Sequence, residues 1–340
     1  MNLPRRTVAS ILAATLLVGI GATVAASSPL TFLRMGTGPT SGTIFPLGGL
    51  LAGIVSNPPG SRDCERGGSC GVPGVIVTAT SSEGSVENIE EISNGNFDLA
   101  LVQGDVAYWA YYGLGPYKGK PPVRSLRAIG SLFPEALHVV VPVDSPIRDI
   151  PDLKGARISV GEAGSGTQVM ADVVMQARGL SPDEIKIRYL RPGTAVDALA
   201  AGELDAAFFV TGYPDAAIAT LAEQMPIRLI PLDWDDYDEL TERYAFISGG
   251  VLPSDTYHGI PATLSLNVSA QLIVREALDE KLVYGITRAL WHETSRRKLE
   301  KNHPRGAQIR LKAALNGVAI PLHPGAIKFY QDIRLLKSPF

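Results

Sequence analysis

The chain is 340 residues long and 45% hydrophobic, with 31 Lys and Arg against 34 Asp and Glu and a formal net charge of −3 at pH 7. That mildly acidic balance argues against nucleic acid as a partner. The length suggests two domains, each able to bury its own core.

At the start, "MNLPRRTVASILAATLLVGIGATVAASS" sets Arg5 and Arg6 before an apolar run from Val8 to about Ile20, then small residues ending at Ala26. The run is short for a bilayer span and a small-residue cleavage site follows, so residues 1–26 read as a secretory signal peptide, with an uncleaved anchor as the alternative. Cleavage would remove two arginines and no acids, leaving an exported chain two charges more negative.

A strand over Thr31–Met35 leads into "MGTGPTSGTIFPLGG", rich in glycine and hydroxyl residues. Cys64 and Cys70 follow, six positions apart around Gly67-Gly68. In an oxidising compartment such a pair is expected to close a small disulfide, in preference to a metal site for which no histidine lies nearby in sequence. Further strands are predicted at Val75–Ala79, Leu99–Gln103, Leu137–Pro142, Arg157–Val160, Lys186–Tyr189, Ala206–Val210 and Arg228–Pro231. Helices are predicted at Ser85–Ser93, Gln168–Ala177 and Ala195–Ala201, the last two ending at Gly179 and Gly202. This alternation predicts α/β layers with mostly parallel strands. Pro142, Pro146 and Pro151 mark a boundary, and the apolar run Ala270–Val274 is able to carry the chain back to the first half. Two crossings imply lobe 1 at 27–142 plus 256–340, lobe 2 at 143–255, and a cleft with a hinge at its base.

Catalytic and cofactor patterns fail on inspection. No lysine lies between Met35 and Gly49, and in "GEAGSGT" Thr167 stands where a P-loop needs lysine. Ser41 stands where the dinucleotide fingerprint needs its last glycine. Gly67-Gly68-Ser69-Cys70-Gly71 fits G-x-S-x-G but has neither a strand before it nor a helix after it. The five histidines have no zinc spacing, and His138 in "ALHVVV" reads as a core histidine with a satisfied hydrogen bond. Asp233 to Asp236 suit a helix N-terminus better than a calcium loop. No enzyme activity, metal or cofactor is expected.

Three loops remain, "GTGPTSGTIFP", "TSSEGSVEN" and "GEAGSGTQV", each between a strand and a helix. Unpaired N–H groups at a helix start hold a carboxylate without help from lysine or arginine. Thr40, Ser41, Thr43, Ser85, Ser165 and Thr167 would add hydroxyl contacts, or merely cap their own helices. Across a cleft, the loops would hold a small anion or zwitterion.

The same residues, with "GSVENIEEI", "LALVQGDVAYWAYYG", "DLKGARISVGEAGSGT", "LDAAFFVTGYPDAAI", "LVYGITRALWHE" and "IPLHPGAIKFYQD", resemble the TAXI solute receptors of tripartite ATP-independent periplasmic (TRAP) transporters over nearly the whole mature chain. The resemblance implies an α/β, type II periplasmic-binding-protein fold and a periplasmic, monomeric receptor without catalysis. It implies a membrane permease partner driven by an ion gradient, and glutamate, glutamine or a related small acid as ligand. The family's ligand-facing loops map onto Thr40, Ser41, Gly42 and Thr43, then Ser85, Gln103 to Asp105, Ser165, Gly166 and Thr167, and Thr211 to Tyr213. Where the family often reads G-T-G-G-T-G-G-T-Y-Y-P, this chain has Pro39, Ser41 and Ile44. A receptor presenting its ligand to a sensor kinase would share these features, and an exported hydrolase using Ser69 is the remaining alternative.

Overall fold

The computed structural model describes residues 30–232, 240–244 and 246–337. The signal peptide expected at 1–26 and the acids Asp233 to Asp236 lie outside these residues. In chain order the first elements are β1 (Thr31–Gly36), α1 (Ile44–Val55), β2 (Ser56–Asn57), β3 (Val72–Pro73), β4 (Val75–Thr80), α2 (Ser85–Ser93), β5 (Leu99–Gln103), α3 (Gly104–Tyr112) and β6 (Leu126–Pro142). Then come β7 (Arg157–Ser159), α4 (Gly166–Ala177), β8 (Lys186–Arg188), α5 (Pro192–Ala200), β9 (Ala206–Thr211), α6 (Ala216–Gln224), β10 (Ile227–Leu229), β11 (Ile247–Leu252) and β12 (Thr263–Arg275). Helices α7 (Glu280–Leu290), α8 (Glu293–Asn302) and α9 (Pro324–Asp332) complete the described chain.

One sheet runs β4-β1-β5-β12-β6-β9-β7-β8, with β10 on β6 and β11 on β12. Its two ends are parallel, as expected of strands linked by helices, in the pairs β1 with β4 and β5, and β7 with β8 and β9. The centre is antiparallel, which the expectation of mostly parallel strands did not include: β12 runs against both β5 and β6, and β6 against β9. The cause is that β6 and β12 are the crossings themselves. Residues 126–136 of β6 pair with β12, and residues 136–140 pair with β9. The passage between halves thus occurs inside a strand, upstream of Pro142, Pro146 and Pro151. Two register shifts interrupt the β6–β12 ladder, at Ala270/Gln271 and Leu272/Ile273, and such bulges bend a strand without breaking it.

Apolar side chains cover both faces of this sheet. On one side Met35, Leu47, Leu51, Leu101, Leu272 and Ile286 form a core for the first half. Leu199, Phe209, Ile218 and Leu229 form one for the second. A third cluster on the other face joins Val102 and Val106 to Val139, Met170 and Phe208, spanning both halves. Burying side chains of this size supplies roughly 1.5–3 kcal/mol each, which is what holds the strand ends and their loops in place.

Cys64 and Cys70 form the expected disulfide, with Cα atoms 4.6 Å apart. The two glycines between them serve different ends: a Cβ on Gly68 would lie 1.7 Å from the Arg62 carbonyl oxygen, whereas Gly67 has open space and takes a left-handed φ of 79°. Ser69 spends its hydroxyl on the loop, donating to the Ser56 carbonyl at 2.6 Å and accepting from Gly71 N–H at 3.1 Å. A histidine distant in sequence does come close: His292 Nε2 is 3.9 Å from Cys64 Sγ. Closing so short a loop stabilises by about 2 kcal/mol on chain entropy. We therefore expect the Cys64→Ser, Cys70→Ser pair to lower the melting temperature by a few degrees in calorimetry while leaving ligand affinity unchanged, because neither residue lines the cavity described next.

Candidate functional site

Where the two halves meet, a cavity of about 80 Å³ lies between the loops that follow β1, β4, β7 and β9. A cavity needs only about 10–15 Å³ of such volume to admit one water, so this one has room for a group larger than a single water.

Buried packing sets the loops. Asn88 in α2 is fully buried and donates through Nδ2 to the carbonyls of Thr37 at 2.7 Å and Leu101 at 2.8 Å, tying the ends of β1 and β5 together. Ser85 Oγ accepts from Gln103 N–H at 3.1 Å. In the second half, Ser165 caps α4 by accepting from Gln168 N–H, and Thr167 Oγ1 accepts from Val210 N–H at 3.1 Å. The starts of α1 and α2, at Thr43 and Gly84, carry no side-chain cap. Their backbone ends are thus not occupied by their own hydroxyls, whereas Ser165 has taken the capping role.

Contacts cross the cleft at several points. Val86 N–H donates to the Gly164 carbonyl at 3.1 Å, and Arg191 pairs with Glu83. Deeper in, Thr43 and Thr211 hydroxyls meet at 2.9 Å, and Thr211 Oγ1 donates to Asp215 Oδ2 at 3.0 Å. With its single proton given to Asp215, Thr211 accepts from Thr43. The other oxygen of Asp215 caps α6 through the N–H groups of Ala217 and Ile218.

Of the residues singled out by sequence, Gly42, Thr43, Ser85, Gln103, Ser165, Gly166, Thr167 and Thr211 line the cavity. Thr40 and Ser41 are exposed and outside the lining, Asp105 is fully buried behind it, and Tyr213 turns toward Arg305. Sequence reasoning missed Glu83, Glu135, Glu162 and Asp215, all part of the lining. The signal available for Asp215 was its N-cap position before a helical run; for Glu135, inside an apolar strand, no local pattern exists. Arg305 was missed as well. Buried, it donates to the Tyr213 carbonyl at 2.7 Å and the Pro134 carbonyl at 3.3 Å, and its guanidinium lies 4.1 Å from the centre of the Tyr213 ring. The same C-terminal segment anchors on the first half, where the His303 ring nitrogen Nε2 contacts the Thr43 carbonyl at 3.0 Å.

The carboxyls are unusual in their protonation. Burial pushes Glu135 up to about 8, with Asp105 and Asp215 adding to the effect and the Gln103 hydrogen bond and Arg305 opposing it. Burial likewise raises Asp105 to about 7. It raises Glu162 to about 7, helped by Glu83 and opposed by a backbone hydrogen bond and by Arg191. Asp215 is raised by burial too, against the pull of its N–H and Thr211 donors. His138 is the core histidine expected: Nδ1 bonds the Ala136 carbonyl, Nε2 bonds the Tyr257 hydroxyl, and burial lowers it to about 4. Among the described lining residues there is no histidine, cysteine, lysine or arginine. The lining hydroxyl of Thr211 faces a carboxylate, Asp215, whose other oxygen is committed to the start of α6, and the walls offer hydroxyls, carboxyls and the Gln103 carboxamide for hydrogen bonding to a solute.

The sequence profile of the NMT1-like family matches residues 35–333. A Brucella abortus (strain 2308) protein that bears the general name of binding protein is 23% identical over 210 residues, which cover 58% of this chain and 62% of that relative. The chain thus spans less than two thirds of that relative's length. Among solved structures, one from Bordetella bronchiseptica RB50 superposes with a TM-score of 0.50 at 16% identity, covering 88% of each chain. The alkanesulfonate-binding protein SsuA from Xanthomonas axonopodis pv. citri, bound to MOPS, gives a TM-score of 0.47 at 17% identity, covering 92% of this chain and 96% of that one. The α/β fold with a central sheet is the class expected from the sequence, and the Bordetella bronchiseptica structure shares that fold.

Proposed function

This chain belongs to the NMT1-like family, and from that premise we propose that it is an extracytoplasmic receptor that captures a small carboxylate-bearing solute and hands it to a membrane permease of the TRAP type. The observation that carries this reading is the cavity gripped from both halves, with hydrogen-bonding groups on its walls. The uncapped start of α1 at Thr43 supplies backbone N–H groups and the positive end of a helix dipole for a carboxylate, and the start of α2 at Gly84 adds its dipole although its Val86 N–H is given to the Gly164 carbonyl. Residues 1–26 would act as the export signal, and no described helix is long and apolar enough to cross a membrane. The proposed lobes are 27–142 plus 256–340, and 143–255, with their exchange inside β6 and β12 rather than in separate linkers. Closure would rotate one half against the other about those strands, and the loops bearing Thr43 and Thr211 would meet only in the closed form.

A thermal-shift screen of amino acids and organic acids tests the proposal, because a solute that binds only the folded state raises the melting temperature. At least one such compound is expected to raise it by several degrees at a concentration about a hundredfold above its Kd. Failure of every carboxylate-bearing compound in the screen would dispose of the reading. A serine hydrolase reading predicts instead that Ser69→Ala abolishes function, which the hydrogen bonds of Ser69 to its own loop give no reason to expect.

A further inference from the structure

The cleft's polar lining is one-sided. Its ionisable side chains are Glu83, Glu135, Glu162 and Asp215, with no basic side chain among the described lining residues. Glu83 is already paired with Arg191, and Asp215 already holds Thr211 and the start of α6. Gln103 and Glu162, each 6% exposed, instead present one buried oxygen apiece, Oε1 in both cases, with no hydrogen-bond partner. The nearby unpartnered donor, Arg305 Nε, lies outside the lining. Buried acceptors left without donors are costly, a cost that a ligand carrying N–H groups removes.

We infer that Glu135, Glu162 and the Gln103 carboxamide oxygen form a subsite for a protonated amine, so that the solute is an amino acid of zero or positive net charge rather than glutamate or a dicarboxylate. This rests on the proposal that the same cleft holds the solute's carboxylate on backbone N–H groups. The division of labour is chemical. The backbone N–H cup takes one carboxylate with partial charges, whereas a second carboxylate set beside Glu135 and Glu162 would meet no cationic side chain among the described lining residues and would oppose their ionisation. An ammonium among the carboxyls favours their ionised forms. The groups that face Glu135 are Asp105, Asp215 and Arg305, and those that face Glu162 are Glu83 and Arg191. Binding near neutral pH is therefore accompanied by proton release.

Isothermal titration calorimetry on the protein freed of co-purified solute, in two buffers of different ionisation enthalpy at pH 7, reads both affinity and protons. The probes are alanine, glutamine and ornithine, set against glutamate, 2-oxoglutarate and succinate, with putrescine as an amine lacking a carboxylate. At least one of the first three is expected to bind tenfold or more tighter than any of the dicarboxylates, with net proton release. Both Glu135→Gln and Glu162→Gln are expected to weaken that binding by tenfold or more while the melting curve stays cooperative. If glutamate, 2-oxoglutarate or succinate binds as tightly as the best of the first three, the amine subsite is wrong and the carboxylate receptor stands. Binding of putrescine alone would keep the acid wall and overturn the carboxylate cup, and binding of none of the seven would overturn both.

Discussion

At pH 8 the ligand-free Glu135→Gln variant should melt about 5–8 °C above the unsubstituted protein, and at pH 5 the two should melt within about 1 °C of each other. The folded protein keeps a proton on Glu135 up to about pH 8, whereas the unfolded chain releases it near 4.5. Between these values the folded state binds the extra proton, so stability is complete below about 4.5 and declines as pH rises through about 8. A tenfold change in proton affinity between the two states is equivalent to about 1.4 kcal/mol, and a chain of this size gains on the order of 2 °C per kcal/mol. Glutamine keeps the shape and polarity of the neutral acid but cannot ionise, so the penalty of burying a charge beside Asp105 and Asp215 disappears. Scanning calorimetry from pH 5 to 8 decides the matter, and parallel curves for the two proteins would show that Glu135 keeps an ordinary carboxyl.

Gly166→Ala should cost at least thirtyfold in solute affinity while lowering the melting temperature by less than about 3 °C. A Cβ built there would stand 1.9 Å from Gln103 Oε1 and 2.4 Å from its Cδ, so the carboxamide must leave its place in the wall. The obstruction is the end of a flexible side chain, and Gly166 opens α4 with an ordinary helical backbone, so the fold itself has room to adjust. Gly49→Ala provides the comparison: this exposed position in α1 has nothing within 4 Å of an added Cβ. There the substitution removes backbone freedom from the unfolded chain, and stability should rise slightly with affinity unchanged. Equal affinities for the two variants would mean that Gln103 has no part in holding the solute.

The outer strands were legible because their apolar runs are short and bounded by glycine, and the predicted helix Ser85–Ser93 matches α2 at both ends. The first part of β6 was not, because "SLFPEALH" carries Pro134 and a glutamate where a central strand normally has neither. Pro134 is tolerated near the point where β6 exchanges β12 for β9, and Glu135 faces the cavity from within that strand. Similarly, Gly249 and Gly250 hid β11, whose pairing with β12 comes from tertiary context. The hydroxyl-rich loops were readable from helix-start chemistry, which locates the cup but does not say which hydroxyls turn inward. Thr40 and Ser41 face solvent, whereas Thr43, two positions on, meets Thr211 across the cleft. Burial decides whether an acid is a solvated ornament or a wall of the site, and nothing local in sequence separates Glu162 from the exposed Glu203.

The crossings have a thermodynamic consequence. Two unstructured linkers would let each half melt by itself, but here β6 and β12 each belong to the hydrogen-bonded ladders of both halves. Losing either half strips one flank from strands that the other half needs for its own core. The protein should therefore lose its structure in a single transition, with calorimetric and van't Hoff enthalpies in agreement, even though it is built as two halves.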